Sequence, residues 1–396
     1  MKRYVLLFFP LWLGATSLAT LIQNAEATHL SFDAIAQRVS AFDASYAASR
    51  NFADPELSLS ISDIQFDDPT NRSIEPMQYS AVTLKQKIPY FGKRDANSDK
   101  INAQKEKFGV TLESAKVKLI EALKITAYTL WQIEEELKIR DASIKLTEQN
   151  IQFYTSYTIS QSNAHLQIMS AELFLADLKI KKNALEKKRS GLYKKLSYLS
   201  AMEVDSLELS MDMPTPHERE HYKNALANNS TYKLKEAQTK EANAELHIKE
   251  LAAYVDPSVQ IGYYRRESFK DYASVGVAFS LPIYGTQKYQ EEASKKELLA
   301  TKSETLDYKN LLDAEFEEKY AILESAYQTY IILQNDSFKA LDHMFELTNT
   351  SIQNGTDLVV YTELLQKKLT LDAQNIEAIA LYYKTLASVE AMIGEK

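Results

Sequence analysis

The chain has 396 residues, a formal net charge of −8 and no cysteine. That excludes disulfides, thiolate metal sites, a cysteine nucleophile and an acylated N-terminal cysteine, and the acidic balance argues against a nucleic-acid partner. With 45% hydrophobic and 25% charged residues it is a folding chain, not a disordered one.

The N-terminus reads as a secretory leader spanning residues 1–27. Lys2 and Arg3 form a charged start, Val5 to Leu13 an apolar run, and Ala25-Glu26-Ala27 a small-x-small cleavage site. No later stretch approaches 18 consecutive apolar residues, so any bilayer contact has to be made by something other than a helix.

Residues 31 to 52 place Phe32, Ile35, Ala36, Val39, Ala41 and Phe42 at helical spacing, with Ser31 as the expected cap, and Pro55 stops the run. A strand follows over about 56–63, with Leu57, Leu59 and Ile61 alternating against serines. After a polar loop a second strand, about 79–89, sets Val82, Leu84 and Ile88 against Thr83, Lys85 and Lys87. From Lys93 to about Ser160 the period becomes helical, and Leu123, Leu130, Leu137, Ile144 and Ile151 recur every seventh residue, a coiled-coil seam on a helix of roughly 100 Å. Another helix is expected over about 164–200.

Past Pro214 and Pro216 the order repeats. A helix over 217–254 ends at Asp256-Pro257. A strand over about 258–266 carries Val259 and Ile261, and one over about 272–283 carries Val275, Val277, Phe279 and Leu281 on one face. A second long helix, about 286–353, holds a seven-residue ladder through Leu312, Ala326, Leu333, Ala340 and Leu347, and a last helix runs over about 357–393. The junction Ile88-Pro89-Tyr90-Phe91-Gly92 is echoed 193 residues later by Leu281-Pro282-Ile283-Tyr284-Gly285. Pro89, Gly92, Pro282 and Gly285 therefore mark strand-to-helix junctions in an internal duplication, with halves 28–213 and 214–396.

Two-residue alternation fits a transmembrane β-barrel, whose strands show lipid on one side and a wet lumen on the other. Leu57, Leu59, Ile61, Val82, Leu84, Val259, Ile261, Val275, Val277, Phe279 and Leu281 would then face lipid. Tyr79 and Tyr90 bracket the second strand, and Tyr272 and Tyr284 the fourth, as boundary aromatics. A soluble sheet with one face on a core alternates identically and stays open. Four strands cannot close a barrel, whereas two chains supply eight and three supply twelve.

The doubled junctions, the stretch Ala225-Leu226-Ala227-Asn228-Asn229…Asp256-Pro257-Ser258-Val259 and the order of elements resemble the TolC family of outer-membrane efflux proteins. Glu56-Leu57 after Pro55, and Ile88-Pro89-Tyr90-Phe91-Gly92-Lys93-Arg94, are similar to its heavy-metal branch, typified by CzcC and CusC. The resemblance implies a mainly α fold with a small β part and four strands per chain. It implies a homotrimer with a 12-stranded outer-membrane barrel continued by a periplasmic α-helical barrel, and partners in a periplasmic adaptor and an inner-membrane pump of RND or ABC type. It implies no cofactor and no catalysis. In that family the periplasmic mouth lies at the helix–helix turns, here Tyr154 to His165 and Asn354 to Glu363. Tyr154, Tyr157, Asp357, Tyr361 and Glu363 are the gate candidates. Family members often carry an aspartate ring after the glycine turn. Here Tyr361 stands at roughly that place, and Asp357 has a sufficient role as a helix cap.

His217-Glu218-Arg219-Glu220-His221 matches the H-E-x-x-H zinc pattern, with Glu241 as a third-ligand candidate, but its flanks are water-seeking where zinc proteases bury that helix. Met211-Asp212-Met213 offers soft sulfur ligands and reads more simply as a loop, and His247 and His343 read as helix-surface residues. The function expected is a passive exit duct for an efflux system, with heavy-metal cations as one cargo class. The alternatives are a duct for drug efflux or type I protein secretion, a zinc peptidase, and a coiled-coil spacer without a pore.

Overall fold

A computed structural model describes residues 16–157, 164–352 and 358–395. In chain order the elements are β1 (Thr16–Ser17), α1 (Leu18–Thr28), α2 (Leu30–Ser49), β2 (Glu56–Ser62), β3 (Tyr79–Lys87), α3 (Lys93–Tyr157), α4 (Ala164–Ser200), β4 (Leu207–Glu208), α5 (Arg219–Ala225), α6 (Ser230–Leu251), β5 (Pro257–Arg265), β6 (Tyr272–Phe279), α7 (Thr286–Ile332), α8 (Phe338–Ile352) and α9 (Leu358–Met392). A 3-10 turn (Leu226–Asn228) joins α5 to α6, and a π turn (Leu333–Ser337) joins α7 to α8. No helix among the described residues is long and apolar enough to cross a membrane. The chain divides into two compact units, each drawing segments from both sequence halves.

One unit comprises Ala34–Leu112 and Thr231–Lys309. It holds the antiparallel sheet β2-β3-β5-β6, the greater part of α2 and α6, and the first turns of α3 and α7. Its helices meet through small residues and polar side chains. Ala96, Ser98, Ala237 and Ser294 are buried. The Ser49 and Ser98 hydroxyls lie 2.9 Å apart, as do those of Thr239 and Thr305 at 3.1 Å. Lys100 pairs with Glu245 at 2.7 Å, and Lys235 with Glu304 at 2.9 Å. Small side chains let backbones approach until hydroxyls and charges across the seam meet.

The other unit comprises Met1–Asp33, Glu113–Ser230 and Asn310–Lys396, and it has an apolar core. Leu123, Ala127 and Leu130 of α3 pack with Leu196 and Leu199 of α4, Val204, and Leu21 and Ala25 of α1. The first part of the α3 seam is thus buried as its seven-residue spacing predicts. Farther along, Ile144 and Ile151 are only half-buried, and Ser143 and Thr147 take the buried places. A second cluster gathers Leu323, Ala326 and Tyr382, with Met213, Tyr320, Tyr327 and Tyr383 against it.

Residues 16–27, which fall within the expected leader, form β1 and most of α1. Leu21 and Ala25 are fully buried in the core, the Asn24 amide donates to the Ser200 carbonyl at 2.6 Å, and β1 pairs in parallel with β4. Small-x-small at Ala25-Glu26-Ala27 is satisfied equally by a helix whose small residues face a crowded neighbour. Three later expectations are corrected by this packing. Ser31 is not a cap, because α2 begins at Leu30 and the Ser31 hydroxyl instead meets His29 Nδ1 at 2.6 Å. The ladder on the second long helix also breaks: Ala340 and Leu347 are exposed, and Leu341 is buried. The π turn explains this, since its i→i+5 bonding admits one extra residue and rotates everything after it by one position. Farther back, the helix expected over 217–254 is interrupted at Leu226–Asn228, where the Asn229 amide donates to the Met392 carbonyl at 2.9 Å.

Candidate functional site: an amphipathic sheet, its junctions and the helix tips

The sheet separates its two faces along most of each strand, with Ser80, Gln86 and Arg265 the polar residues that fall on the apolar side. Directly opposed residues share a face, and the register aligns Leu57 with Leu84, Leu84 with Ile261, and Ile261 with Val275. Leu59, Val82 and Tyr263 form the next row, and Val259 with Val277 another. The apolar side chains expected on one face of the strands lie on one face of the sheet, which no other element covers among the described residues: exposure reaches 75% at Leu59 and 74% at Val275. Leu281 is exposed but lies beyond the end of β6. The opposite face carries Ser58, Ser60, Thr83, Lys85, Ser258, Gln260 and Ser274, with Lys85 and Glu56 paired at 3.6 Å. The outer edges of β2 and β6 have no strand partner among the described residues.

Tyr79 and Tyr272 belong to that polar face, not to a girdle around the apolar one. They flank Tyr264, which stacks on Tyr272 with centroids 4.6 Å apart and meets Tyr79 edge-on at 5.0 Å. The parity of the pairing decides this, because Tyr79 opposes Ser62 and Tyr272 opposes Tyr264. Gly262 makes room for the row: a Cβ there would lie 2.7 Å from Tyr264 Cε2.

Both junction glycines have positive φ, +87° at Gly92 and +68° at Gly285, a conformation that costs other L-residues energy. Each glycine immediately precedes the first residue of the long helix that follows its strand. The first junction is clamped. Asp256 Oδ1 accepts from Lys93 Nζ at 2.7 Å and from the Tyr90 N–H at 2.9 Å, and Lys87 approaches Oδ2 at 3.3 Å. Partial burial by itself would raise the Asp256 pKa. The hydrogen bonds from Lys93, Tyr90 and Lys87 outweigh it and hold the carboxyl below its ordinary value. Tyr90 stacks on Tyr254 at 4.5 Å. The second junction has no such clamp among the described residues, and Ile283 and Tyr284 are widely exposed.

At the helix tips, Tyr154 is half-buried with its ring edge-on to Phe153, Tyr361 is half-buried beside Phe345 at 6.4 Å, and Glu363 is exposed. Tyr157 is the last residue of α3, and Asp357 lies outside the described residues. Leu166, Met169, Leu173 and Ile180 leave an exposed apolar stripe along α4.

The His217 and His221 rings lie 4.9 Å apart, but no third ligand joins them among the described residues. H-E-x-x-H needs both histidines on one helical face, but α5 begins at Arg219, so His217 and Glu218 precede it. Glu241 is engaged by Gln104 and Lys107. Among the described residues no three His, Asp or Glu side chains are placed to hold a metal ion. Sequence reasoning passed over the tyrosine-rich seam where Tyr222, Tyr320, Tyr327, Tyr382 and Tyr383 pack together. Burial there pushes the Tyr382 hydroxyl up to about 12. The crowding of tyrosine over 320–383 was the available signal.

No family model matches the chain, and no curated protein matches it in sequence. Solved structures match its fold. The outer-membrane channel OprN superposes with a TM-score of 0.78 at 14% identity, over 96% of this chain and 90% of its own. The open-state MtrE outer-membrane channel of Neisseria gonorrhoeae gives 0.77 at 15%, over 96% and 89%. CusC, described for the conformational changes that accompany folding and transmembrane channel formation, gives 0.76 at 14%, over 96% and 92%. The fold is that of the TolC-family outer-membrane channels.

Proposed function

We propose that the chain is the outer-membrane duct of an efflux assembly, a passive conduit without catalysis. Three copies would contribute four strands each to a 12-stranded barrel. The observation that carries the reading is the sheet itself: one face is mainly apolar and exposed, and the other is lined mainly with polar side chains. Such a sheet suits hydrocarbon outside and water inside. Its two free edges also require other copies, since each backbone amide left unpaired in lipid costs on the order of several kcal/mol. The long helices would extend into the periplasm, with Tyr154, Tyr157, Asp357, Tyr361 and Glu363 at the mouth. Energy would come from an inner-membrane pump through a periplasmic adaptor. Heavy-metal cations are the cargo class to which the sequence resemblance points, with drugs or secreted polypeptides as the competing cargo.

The test is reconstitution into planar bilayers. A duct gives stable single-channel conductance, whereas a water-soluble monomer or a silent bilayer refutes the reading. Sensitivity of a deletion strain to copper, zinc or detergents then separates the cargo classes.

A further inference from the structure

The two halves of the sheet are equivalent strand by strand, and this lets a contact absent from the single chain be read from one that is present. Pro55 before β2 corresponds to Pro257 at the head of β5, and Pro89 after β3 corresponds to Pro282 after β6. Under that correspondence the hairpin β2-β3 predicts the register of β5-β6. Glu56 opposite Lys85 becomes Ser258 opposite Ala278, Leu57 opposite Leu84 becomes Val259 opposite Val277, and Ile61 opposite Ser80 becomes Tyr263 opposite Ala273. All three are pairs of the structure.

The middle seam, β3 with β5, joins the first repeat to the second. A closed ring needs its counterpart, the second repeat of one chain against the first repeat of the next, and β6 and β2 are the free edges. Val82 opposite Tyr263 carries over to Val275 opposite Ile61, Leu84 opposite Ile261 to Val277 opposite Leu59, and Gln86 opposite Val259 to Phe279 opposite Leu57. We propose that β6 pairs antiparallel with β2 of a second copy in this register. Resting on the duct reading, the proposal adds the position at which copies join. The register passes a test it was not built to meet, since all six of these side chains belong to the apolar faces of their strands, so the uncovered face runs unbroken across the seam. A slip of one residue would set Val277 opposite Ser58 or Ser60 and break it.

The absence of native cysteine makes paired-cysteine oxidation the direct experiment. L59C/V277C is in register, whereas L59C/V275C and L59C/F279C are slipped by two positions, where Cα atoms about 7–8 Å apart are poorly placed for a disulfide. S58C/A278C probes the same register from the polar face and serves if the first pair fails to insert. Outer-membrane vesicles are treated with diamide and run on non-reducing gels. The expected result is covalent dimers and trimers from L59C/V277C and S58C/A278C, at least tenfold more abundant than from either slipped pair. Preferential linkage of a slipped pair, or no linkage in a protein that inserts and conducts, overturns the register and leaves the duct reading standing. A soluble monomer overturns both.

Discussion

Asp256→Asn tests the clamp at the first strand-to-helix junction. The carboxylate receives one charge-assisted bond from Lys93, one bond from the Tyr90 amide and a longer contact from Lys87. Lys93 and Asp256 side chains are only 17% and 16% exposed, so their pair is less screened than a surface ion pair. Lys87 is 59% exposed and contributes little. Asparagine keeps an oxygen for the Tyr90 N–H and removes the charge that Lys93 faces, which should cost about 2 kcal/mol, a shift of roughly 30-fold in the folded-to-unfolded ratio. Because the folded carboxyl titrates below its ordinary value of 3.8, its contribution is present above that value and lost as pH falls through the folded pKa. Guanidinium unfolding in detergent, followed by circular dichroism, should show the full gap between wild type and variant at neutral pH. The gap should close in strong acid, below 3.8. A gap that persists unchanged at about pH 2, or a variant as stable as wild type at pH 7, would refute the clamp.

Gly262→Ala should displace Tyr264 from its stack on Tyr272 and cost about 1–2 kcal/mol, while Gly276→Ala, with open space around its Cβ position, should stay within about 0.5 kcal/mol of wild type; tyrosine fluorescence and unfolding midpoints separate them. If the exported protein loses a leader, intact-mass analysis should place the new N-terminus ahead of Leu18, because a cut after Ala27 removes Leu21 and Ala25 from the core; a mature chain starting at Thr28 would contradict this. Leu130→Ala in that core should destabilise by about 2–5 kcal/mol, against less than about 0.5 kcal/mol for exposed Leu166→Ala in the isolated protomer. Deleting Asn335 should convert the π turn to ordinary α-helix and keep Leu341 buried, costing about 1 kcal/mol, whereas deleting Glu135, between buried Leu130 and Leu137, should cost about 3 kcal/mol or more; the comparison of unfolding midpoints decides it.

The strands were the most legible part of the sequence. Leu57, Leu59 and Ile61 can sit on one side only when the period is two, and the observed β2 ends one residue from the expected boundary. The long helices were legible for the same reason, up to the π turn, where one inserted residue defeats a count by sevens without leaving a mark in composition. Which face a boundary residue takes was not legible for Tyr79 and Tyr272, because an aromatic is compatible with either side and only the pairing partner fixes it. The packing of the first helix against Leu123 and Leu196 was not legible, because those partners are remote in sequence. His217 to His221 failed from the opposite side: the letters matched, but the helix that would give them meaning starts two residues late.

The unit that carries the sheet holds its helices together with serine, threonine and paired charges, where the other uses a greasy centre. Such a seam responds to the medium. Added electrolyte shortens the reach of the partly exposed pairs, to about 8 Å at physiological ionic strength and about 3 Å at 1 M, while leaving hydrocarbon contacts nearly untouched. Brine should therefore loosen one of the two units selectively, and hydrogen exchange in α6 should quicken with salt while that of the mid-α3 amides near Leu123 should not.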